Sequence, residues 1–179
     1  WWRSPAAKRI LTPARYAAKL VPLLQPLGLR ILVEHGRFIV GNAGLLVTRV
    51  EYVKRTGRKN FVIVDAAMND LIRPAFYDSY HQILPVARRN GAPVSSDVVG
   101  PICESGDYFA RNRPLPKVGE GDYLALMSAG AYGFVMASNY NTRALAAEVL
   151  VHGRQAAVVR PRQRLDRIWA GEKIPAWLR

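Results

Sequence analysis

The stretch "LLVTRVEYVKRTGRKNFVIVD", residues 45–65, marks the point at which the chain becomes β-rich. Two runs, 45–54 and 60–65, are dominated by the β-branched and aromatic residues that favour strands. The connecting "RTGRKN" contains the glycine and asparagine that hairpin turns prefer. This stretch therefore predicts a pair of adjacent strands joined by a tight turn, and with it a β-rich domain.

The chain that follows predicts one short helix and many short strands. In "NDLIRPAFYDSYH" we predict a helix over 70–80, with Asn69 or Asp70 as its N-cap and Pro74 in its first turn. Short apolar runs between turn signals predict further strands at 82–87, 94–100, 121–127, 147–152 and 155–160. Such a series of strands is typical of a barrel or a sandwich.

The chain before the hairpin has a different pattern. "TPARYAAKLVPLLQP", residues 12–26, has a threonine and a proline at N-cap and N1 positions and predicts a helix that Gly28 ends. "LRILVE", residues 29–34, predicts a buried strand, which a glycine-containing loop follows. Helix, turn, strand and glycine loop are typical of an α/β unit, so we place a domain boundary near residues 40–45.

Composition limits the classes of function. The 179 residues include 26 Lys and Arg against 13 Asp and Glu, a net charge of +13 at pH 7. The basic ends raise nucleic-acid binding as a hypothesis, but no nucleic-acid motif accompanies them. The better interpretation is a solvated basic surface, or one that attracts anionic metabolites. We expect neither a membrane partner nor a metal, since no apolar run could span a bilayer and the histidines lack ligand spacing. A single cysteine is typical of a reducing compartment, so we expect a cytoplasmic protein.

Two groups of residues could bind anions. Glu34, Gly36 and Arg37 follow the predicted strand, where a glycine exposes backbone N–H groups to phosphate and an arginine adds a bidentate clamp. A strand end with a surface ion pair also explains them. Arg73 and Tyr77 are four residues apart and share a face of the predicted helix, which suits a carboxylate. The alternative is a surface arginine lying on a partly buried tyrosine.

Two glycine-containing stretches hold the remaining candidates. In "GPICESGD", residues 100–107, the only cysteine, Cys103, stands beside Glu104. A thiol can donate a proton or act as a nucleophile, and neighbouring carboxylates favour the neutral, proton-donating form. The alternative is a small buried hydrophobe. In "SAGAYGFVMASNYN", residues 128–141, the glycines beside Tyr132 would let a ligand approach the backbone while the hydroxyl meets a phosphate. The alternative is a turn with a packed aromatic ring.

Taken in order, several segments resemble one family. They are "EHGR", "DAAMNDLIRPAFY", "GPICESGD", "EGDYLALMSAGAYGFVMASNYNTR" and "AEVLV". This series is similar to the C-terminal part of the diaminopimelate decarboxylases, which are fold-type III, group IV decarboxylases that depend on pyridoxal 5'-phosphate. The Cys-Glu-Ser-Gly-Asp run is the most discriminating piece. The resemblance implies an α/β remnant of a cofactor-binding (β/α)8 barrel over residues 1–44, followed by a mainly-β C-terminal domain, barrel- or sandwich-like, over 45–179.

The resemblance also implies a reaction, the decarboxylation of meso-2,6-diaminopimelate to L-lysine, and residues that bind its cofactor, pyridoxal 5'-phosphate. Glu34 would face the pyridinium nitrogen of the cofactor. Gly36 and Arg37 would hold its phosphate, with Arg37 also near the substrate. Tyr132 would contact both the phosphate and the substrate.

The remaining candidates would serve the substrate. Arg73 and Tyr77 would bind its distal carboxylate, and Glu104 would recognise its distal ammonium group. Cys103 would protonate Cα after CO2 leaves. In the family, the cysteine and the glutamate reach into the active site of the partner subunit, so the resemblance implies a homodimer with shared active sites.

The sequence departs from the family pattern in two ways. His35 stands where the family usually has proline, which leaves the φ angle of this loop less restricted. None of the six lysines matches the motif of the family's Schiff-base lysine, and the glycine-rich phosphate loop has no counterpart. We therefore expect the C-terminal portion of a longer enzyme, inactive by itself. The alternatives are a related ornithine or arginine decarboxylase and a non-catalytic assembly module from a split gene.

Overall fold

The computed structural model describes residues 12–178 of the chain. The α-helices are α1, Pro13–Leu24, α2, Gly36–Val40, and α3, Arg73–Tyr77. The strands are β1, Leu46–Arg55, β2, Asn60–Val64, β3, Ile83–Pro85, β4, Val94–Val99, β5, Tyr108–Leu115, β6, Tyr123–Leu126, β7, Glu148–His152, and β8, Gln155–Arg160. Short 3₁₀ turns occupy Gln25–Leu27, Gly41–Ala43, Phe134–Met136, Tyr140–Thr142, Leu165–Arg167 and Ala176–Leu178.

Six strands form one sheet in the order β3-β6-β1-β2-β4-β5, and β7 pairs with β8 in a separate two-stranded sheet. Neighbouring strands are antiparallel except β2 and β4, which are parallel. In the edge strand β5, Nη1 of Arg113 donates to the carbonyl of His81, 2.7 Å away and just before the other edge strand, β3. The two edges therefore approach each other, and the large sheet is barrel-like. This confirms the β-rich domain that the sequence predicts.

The β1–β2 hairpin confirms the prediction from residues 45–65. Arg55 pairs with Asn60 across the turn. Within the turn, the backbone N–H of Thr56 donates to the carbonyl of Lys59 at 2.8 Å, and Oγ1 of Thr56 accepts from the N–H of Lys59 at 3.0 Å. The turn thus satisfies its own backbone groups, which is why residue order alone could predict it.

The inner face of the sheet forms one apolar core. Val50, Val62 and Val64 alternate with more exposed residues along β1 and β2 and are at most 1% exposed. The same core includes Leu71, Ile83, Val98, Phe109, Leu115, Leu124 and Leu126. Burial of a side chain of this size stabilises a fold by about 1.5–3 kcal/mol, so this core is the main source of stability.

The sequence patterns do not predict strand β5. Its sequence "YFARNRPL" contains charged residues, Pro114 and an asparagine, Asn112, with a φ of 49°. These features interrupt the period-two alternation that identifies a strand. Asp97 in β4 accepts from the N–H of Asn112 at 2.6 Å. A contact between strands therefore stabilises a backbone conformation that no local signal could predict.

Helix α1 confirms the prediction for the start of the described chain. Thr12 is its N-cap and accepts from the N–H of Arg15 at 3.3 Å. A 3₁₀ turn continues the helix to Gly28, whose φ is 62°. The predicted buried strand over 29–34 is wrong, because these residues are exposed and belong to no strand. A strand requires hydrogen-bonded neighbours, and no strand of the described chain pairs with this stretch.

Helix α3 has five residues and is shorter than the helix predicted over 70–80. Pro74 lies in its first turn, as predicted, but no side chain caps it. Asp70 instead accepts at Oδ2 from a backbone N–H three residues earlier, at 2.9 Å, so the expected capping role of Asn69 or Asp70 is wrong. Asp78 ends the helix with a left-handed φ of 50°.

The other predicted strands are confirmed as β3, β4, β6, β7 and β8. The β7–β8 hairpin belongs to the basic C-terminal part of the chain, and Nε of Arg160 lies 2.6 Å from Oε2 of Glu148 across it. Among the helices within residues 12–178, none is both long and apolar enough to cross a membrane.

Candidate active site

Residues 65–71, "DAAMNDL", form a turn after β2 that holds several parts of the site in place; we call it the 65–71 turn. Oδ1 of Asp65 accepts from Oγ1 of Thr48 at 2.6 Å and from the N–H of Arg49 at 2.8 Å. Oγ1 of Thr48 in turn accepts from the N–H of Ala66 at 3.0 Å. Because Thr48 is only 2% exposed, its bonds are shielded from water, and they tie the turn to β1.

Asn69 links the 65–71 turn to residues 138–143. Its Nδ2 donates to the carbonyl of Ser138 at 3.2 Å, and its own carbonyl accepts from the N–H of Ser138 at 3.0 Å. Its Oδ1 accepts from Nε of Arg143 at 2.9 Å. Asn69 is 1% exposed, and a buried amide needs such partners to be stable. These bonds fix one segment against the other.

Helix α3 follows the 65–71 turn and presents Arg73 and Tyr77 on one face, as predicted. Cζ of Arg73 lies 5.3 Å from the centroid of the Tyr77 ring and 5.3 Å from that of Tyr132. The two tyrosines are 54% and 47% exposed, so neither is packed away from a ligand. Tyr132 also has a φ of 59°, an uncommon conformation that clusters at functional sites. A guanidinium with phenolic donors beside it suits carboxylate or phosphate oxygens.

Arg37, in α2, lies close to the loop that carries Tyr132. A Cβ placed on Gly41 would be 3.6 Å from Cγ of Arg37 and 3.9 Å from Cβ of Ala131, the neighbour of Tyr132. Four predicted site residues thus come from three separate segments to one region. We call this set the arginine–tyrosine cluster: Arg37, Arg73, Tyr77 and Tyr132.

Gly130 and Gly133 approach protein backbone, whereas the sequence led us to expect a ligand there. A Cβ on Gly130 would lie 2.0 Å from the carbonyl oxygen of Val40 and 2.8 Å from the nitrogen of Gly44. A Cβ on Gly133 would lie 2.2 Å from the carbonyl oxygen of Ala129. Only glycine allows backbones to pass this closely. Gly130 therefore sets the Tyr132 loop against the end of α2, and Gly133 allows the close turn within that loop.

His81 is buried beside the arginine–tyrosine cluster. It is 2% exposed, and its Nδ1 lies 2.8 Å from the carbonyl of Met127, so Nδ1 carries the proton. Its Nε2 is buried and has no hydrogen-bond partner within the described part of the chain. Burial lowers the pKa of His81, the bond to Met127 opposes this effect, and the positive charges of Arg73, Arg37 and Arg113 add to it. The imidazole is therefore neutral at pH 7.

Acidification is expected to destabilise the fold through His81. Since its folded-state pKa lies below the unfolded value of 6.5, this contribution to stability is complete above that value and is lost as the pH falls through the folded pKa. From about pH 7.5 to about 5.5, the free energy of unfolding should fall more in the wild type than in His81→Asn, whose amide can keep the bond to Met127. The unfolded pKa of 6.5 limits this difference to at most about 1.4 kcal/mol. Urea unfolding across this pH range measures the difference. Parallel pH slopes for the two proteins would contradict the prediction.

The loop of Cys103 is exposed, and the buried side chain of Asp107 holds it in place. Asp107 is 4% exposed, and its two carboxylate oxygens accept from the N–H groups of Met68 at 2.7 Å and Ile102 at 2.8 Å. Burial raises the pKa of Asp107, and the two N–H groups oppose that effect. The bond to Met68 ties the loop to the 65–71 turn. Cys103 itself is exposed, so it is not a buried hydrophobe.

The remaining candidates are Glu34, Gly36, Cys103 and Glu104. Glu34 is exposed and forms no hydrogen bond or ion pair with any described residue, so the surface ion pair with Arg37 is absent there. Gly36 begins α2, and nothing lies within 4 Å of a Cβ placed on it. Between residues 12 and 178, no hydrogen bond or ion pair joins the Cys103–Glu104 pair directly to the cluster.

Sequence reasoning did not identify the residues that position the site. These are Asn69, which was predicted only as a helix cap, and His81, Asp107 and Arg143. The sequence contains one weak indication of the role of Asp107, namely Gly100. Only a glycine fits at this position, because a Cβ on Gly100 would lie 2.3 Å from Oδ2 of Asp107. Its partner Met68, however, is 39 residues away in the chain. A contact at that separation leaves no periodic pattern to detect.

Comparisons of sequence and of structure with known proteins point to the same family. The family described as "Pyridoxal-dependent decarboxylase, C-terminal sheet domain" matches residues 23–130. Diaminopimelate decarboxylase from Pseudomonas aeruginosa is 57% identical over 146 residues, which cover 82% of this chain and 35% of that protein. The Aquifex aeolicus protein of the same name is 49% identical over 156 residues, 87% of this chain and 37% of that protein. The crystal structure of diaminopimelate decarboxylase from M. jannaschii in complex with L-lysine has a TM-score of 0.83 at 33% identity, covering 94% of this chain and 40% of that one.

The chain thus spans little more than a third of the length of these relatives. The family match covers more than half of the chain and includes strands β1 to β6, which form the barrel-like sheet. The chain therefore belongs to the pyridoxal-dependent decarboxylases and contains their C-terminal sheet domain.

Proposed function

We propose that this chain is the C-terminal portion of a diaminopimelate decarboxylase. This lyase would convert meso-2,6-diaminopimelate to L-lysine and CO2 in lysine biosynthesis, with pyridoxal 5'-phosphate as cofactor. The observation that carries the proposal is the arginine–tyrosine cluster, in which one guanidinium lies near two exposed phenols. Relatives at 57% and 49% identity have this enzyme name. Two similar solved structures, from Helicobacter pylori and M. jannaschii, contain L-lysine, the product of the proposed reaction.

Within that enzyme, residues 1–44 would be the last α/β unit of a (β/α)8 barrel, and residues 45–179 would be the β-rich C-terminal domain. The exposure of apolar residues in the first unit supports this division. Leu29, Leu32 and Phe38 are 69%, 79% and 68% exposed. Although none of these residues is in a strand of the described chain, the strands and helices of a complete barrel would cover such side chains on both sides.

The cluster has the donors that a phosphate ester requires. Arg37 supplies a guanidinium and Tyr132 a hydroxyl, and the open space at Gly36 would let phosphate reach the backbone. The residues present therefore fit the phosphate of the cofactor. When bound, pyridoxal phosphate would supply the electron sink for the electron pair that the departing carboxylate leaves. Glu34 would hold a proton on the pyridine nitrogen.

The remaining residues would act on the substrate. Arg73 and Tyr77 would bind its distal carboxylate, and Glu104 would bind its distal ammonium group. Cys103 would donate a proton to Cα once CO2 has left. The exposure of the Cys103 loop supports a homodimer in which this loop enters the partner subunit's active site. A thiol with this role must stay reduced, which supports a cytoplasmic location.

The full-length protein, supplied with pyridoxal phosphate, is expected to release CO2 from meso-diaminopimelate and to form L-lysine in equal amount. The 179-residue chain alone should give no turnover, because none of its lysines matches the Schiff-base motif. Trapping of CO2 and amino-acid analysis measure both results. Preference of the full-length protein for ornithine or arginine would instead favour a related decarboxylase. Turnover by the chain alone would refute the proposed division between a barrel and this portion.

A further inference from the structure

The carboxylate of Glu104 is held by two donors of its own chain. Its Oε1 accepts from the N–H of Gly106 at 2.9 Å, and its Oε2 lies 3.4 Å from the hydroxyl of Tyr140. The second distance exceeds the usual 2.5–3.0 Å of a hydroxyl bond, and a small rotation of either side chain would shorten it. Each oxygen thus has one donor nearby, and the two contacts together favour one orientation of the carboxylate plane.

Two donors leave much of this carboxylate free. An ionised carboxylate can accept about four hydrogen bonds, and Glu104 is exposed. Among the described residues, no lysine, arginine or histidine forms an ion pair with it. An oriented, exposed carboxylate with unused acceptors and no cation of its own chain can accept the N–H groups of a cationic ligand.

Tyr140 is placed by a network that does not involve Glu104. Nδ2 of the preceding residue, Asn139, donates to the carbonyl of Arg143 at 2.8 Å and to Oε1 of Gln163 at 2.6 Å. The two residues that follow Tyr140, Asn141 and Thr142, both have a φ of 56°. Such conformations persist only where the surrounding structure imposes them. The hydroxyl is therefore presented by a stiff turn.

The 65–71 turn connects this segment to the loop of Glu104. Asn69 binds Ser138 on one side, and the N–H of Met68 binds Asp107 on the other. Adjacent residues of one turn therefore set the position of both partners. The approach of Tyr140 to Glu104 is therefore a property of the assembled domain.

We propose that Tyr140 is a positioning residue for Glu104, and that this pair selects substrates whose far end carries an ammonium group. This inference rests on the proposed function and extends it to a residue with no role there. The hydroxyl would orient the carboxylate, while Glu104 alone would contact the ligand. Loss of the hydroxyl should therefore weaken recognition of the ammonium group without affecting chemistry at Cα.

The test uses the full-length enzyme with Tyr140→Phe and two substrates. One is meso-diaminopimelate, and the other is 2-aminopimelate, which lacks the distal amine. For diaminopimelate, kcat/KM should fall about tenfold, mainly through KM, as expected for a lost hydrogen bond to a charged group. For 2-aminopimelate, kcat/KM should change less than about twofold. Tyr52→Phe is the matched control, since Tyr52 is similarly exposed, at 53%, and lies in β1.

A double-mutant cycle with Glu104→Gln gives an independent readout. If Tyr140 acts through Glu104, Tyr140→Phe should have no further effect in the Glu104→Gln background. Equal losses on both substrates, additive effects in the cycle, or no loss at all would each overturn the inference. A lowered melting temperature with equal losses would identify a merely structural role. Failure of the proposed function would instead be seen in the wild type, as a lack of turnover of meso-diaminopimelate.

Discussion

Replacement of Cys103 by alanine in the full-length enzyme is expected to lower kcat by about 10²- to 10⁴-fold, the range typical of a lost general acid. The same change should leave the free energy of unfolding within about 0.5 kcal/mol of the wild type. The reason is that the thiol is exposed and takes no part in the apolar core. Steady-state kinetics with meso-diaminopimelate and urea unfolding of the same samples measure the two effects.

Ser105→Ala is the matched control for Cys103→Ala. Ser105 is exposed in the same loop and close in sequence, but it has no proposed role. Its replacement should leave kcat within about twofold of the wild type, since surface substitutions of this kind are nearly neutral. If Cys103→Ala turned over as fast as Ser105→Ala, Cys103 would have no part in the reaction.

Replacement of Gly130 by alanine is expected to destabilise the full-length enzyme by about 3 kcal/mol and to weaken cofactor binding. The new Cβ would lie 2.0 Å from the carbonyl oxygen of Val40. Because this is a contact with backbone, the clash can be relieved only if the Tyr132 loop or the end of α2 moves. The N–H of Gly130 also donates to the carbonyl of Gly41 at 3.1 Å. The Tyr132 loop should therefore separate from the end of α2 and widen the arginine–tyrosine cluster. Thermal unfolding and absorbance titration with pyridoxal phosphate measure these effects.

Gly119→Ala is the control for the replacement of a loop glycine by alanine. Gly119 also lies in a loop, but nothing lies within 4 Å of a Cβ placed on it. Its replacement should leave stability and cofactor binding near those of the wild type. Equal stability of the Gly130 and Gly119 variants would show that the close packing of the Tyr132 loop does not stabilise the protein.

The elements that the sequence predicts well are those whose partners are near in the chain. The β1–β2 hairpin pairs Arg55 with Asn60, so its turn residues and its strands are read from one short stretch. Helix α1 begins at the cap of Thr12, a contact within a single turn. Strand β5 lacks such a signal, because the conformation of Asn112 depends on Asp97 in another strand.

In the candidate site, too, the sequence predicts contacts between near neighbours in the chain and misses contacts between distant segments. The four-residue spacing of Arg73 and Tyr77 predicts a shared face, and the structure confirms it. The approach of Tyr132 to Arg73 could not be predicted, because close glycine packing and the bonds around the 65–71 turn bring the two segments together. The assignment of individual roles came from the family resemblance, and those roles stay predictions.

By itself, the sequence determined the β-rich class, the central hairpin, the first helix and which side chains could carry chemistry. These features depend on residue type and on contacts between near neighbours in the chain. Only the tertiary structure decided which candidates meet, and that Asn69, Asp107 and Gly130 position them. Hydrogen bonds and packing between distant segments stabilise the protein only when the whole domain has assembled, so no local pattern in the sequence predicts them.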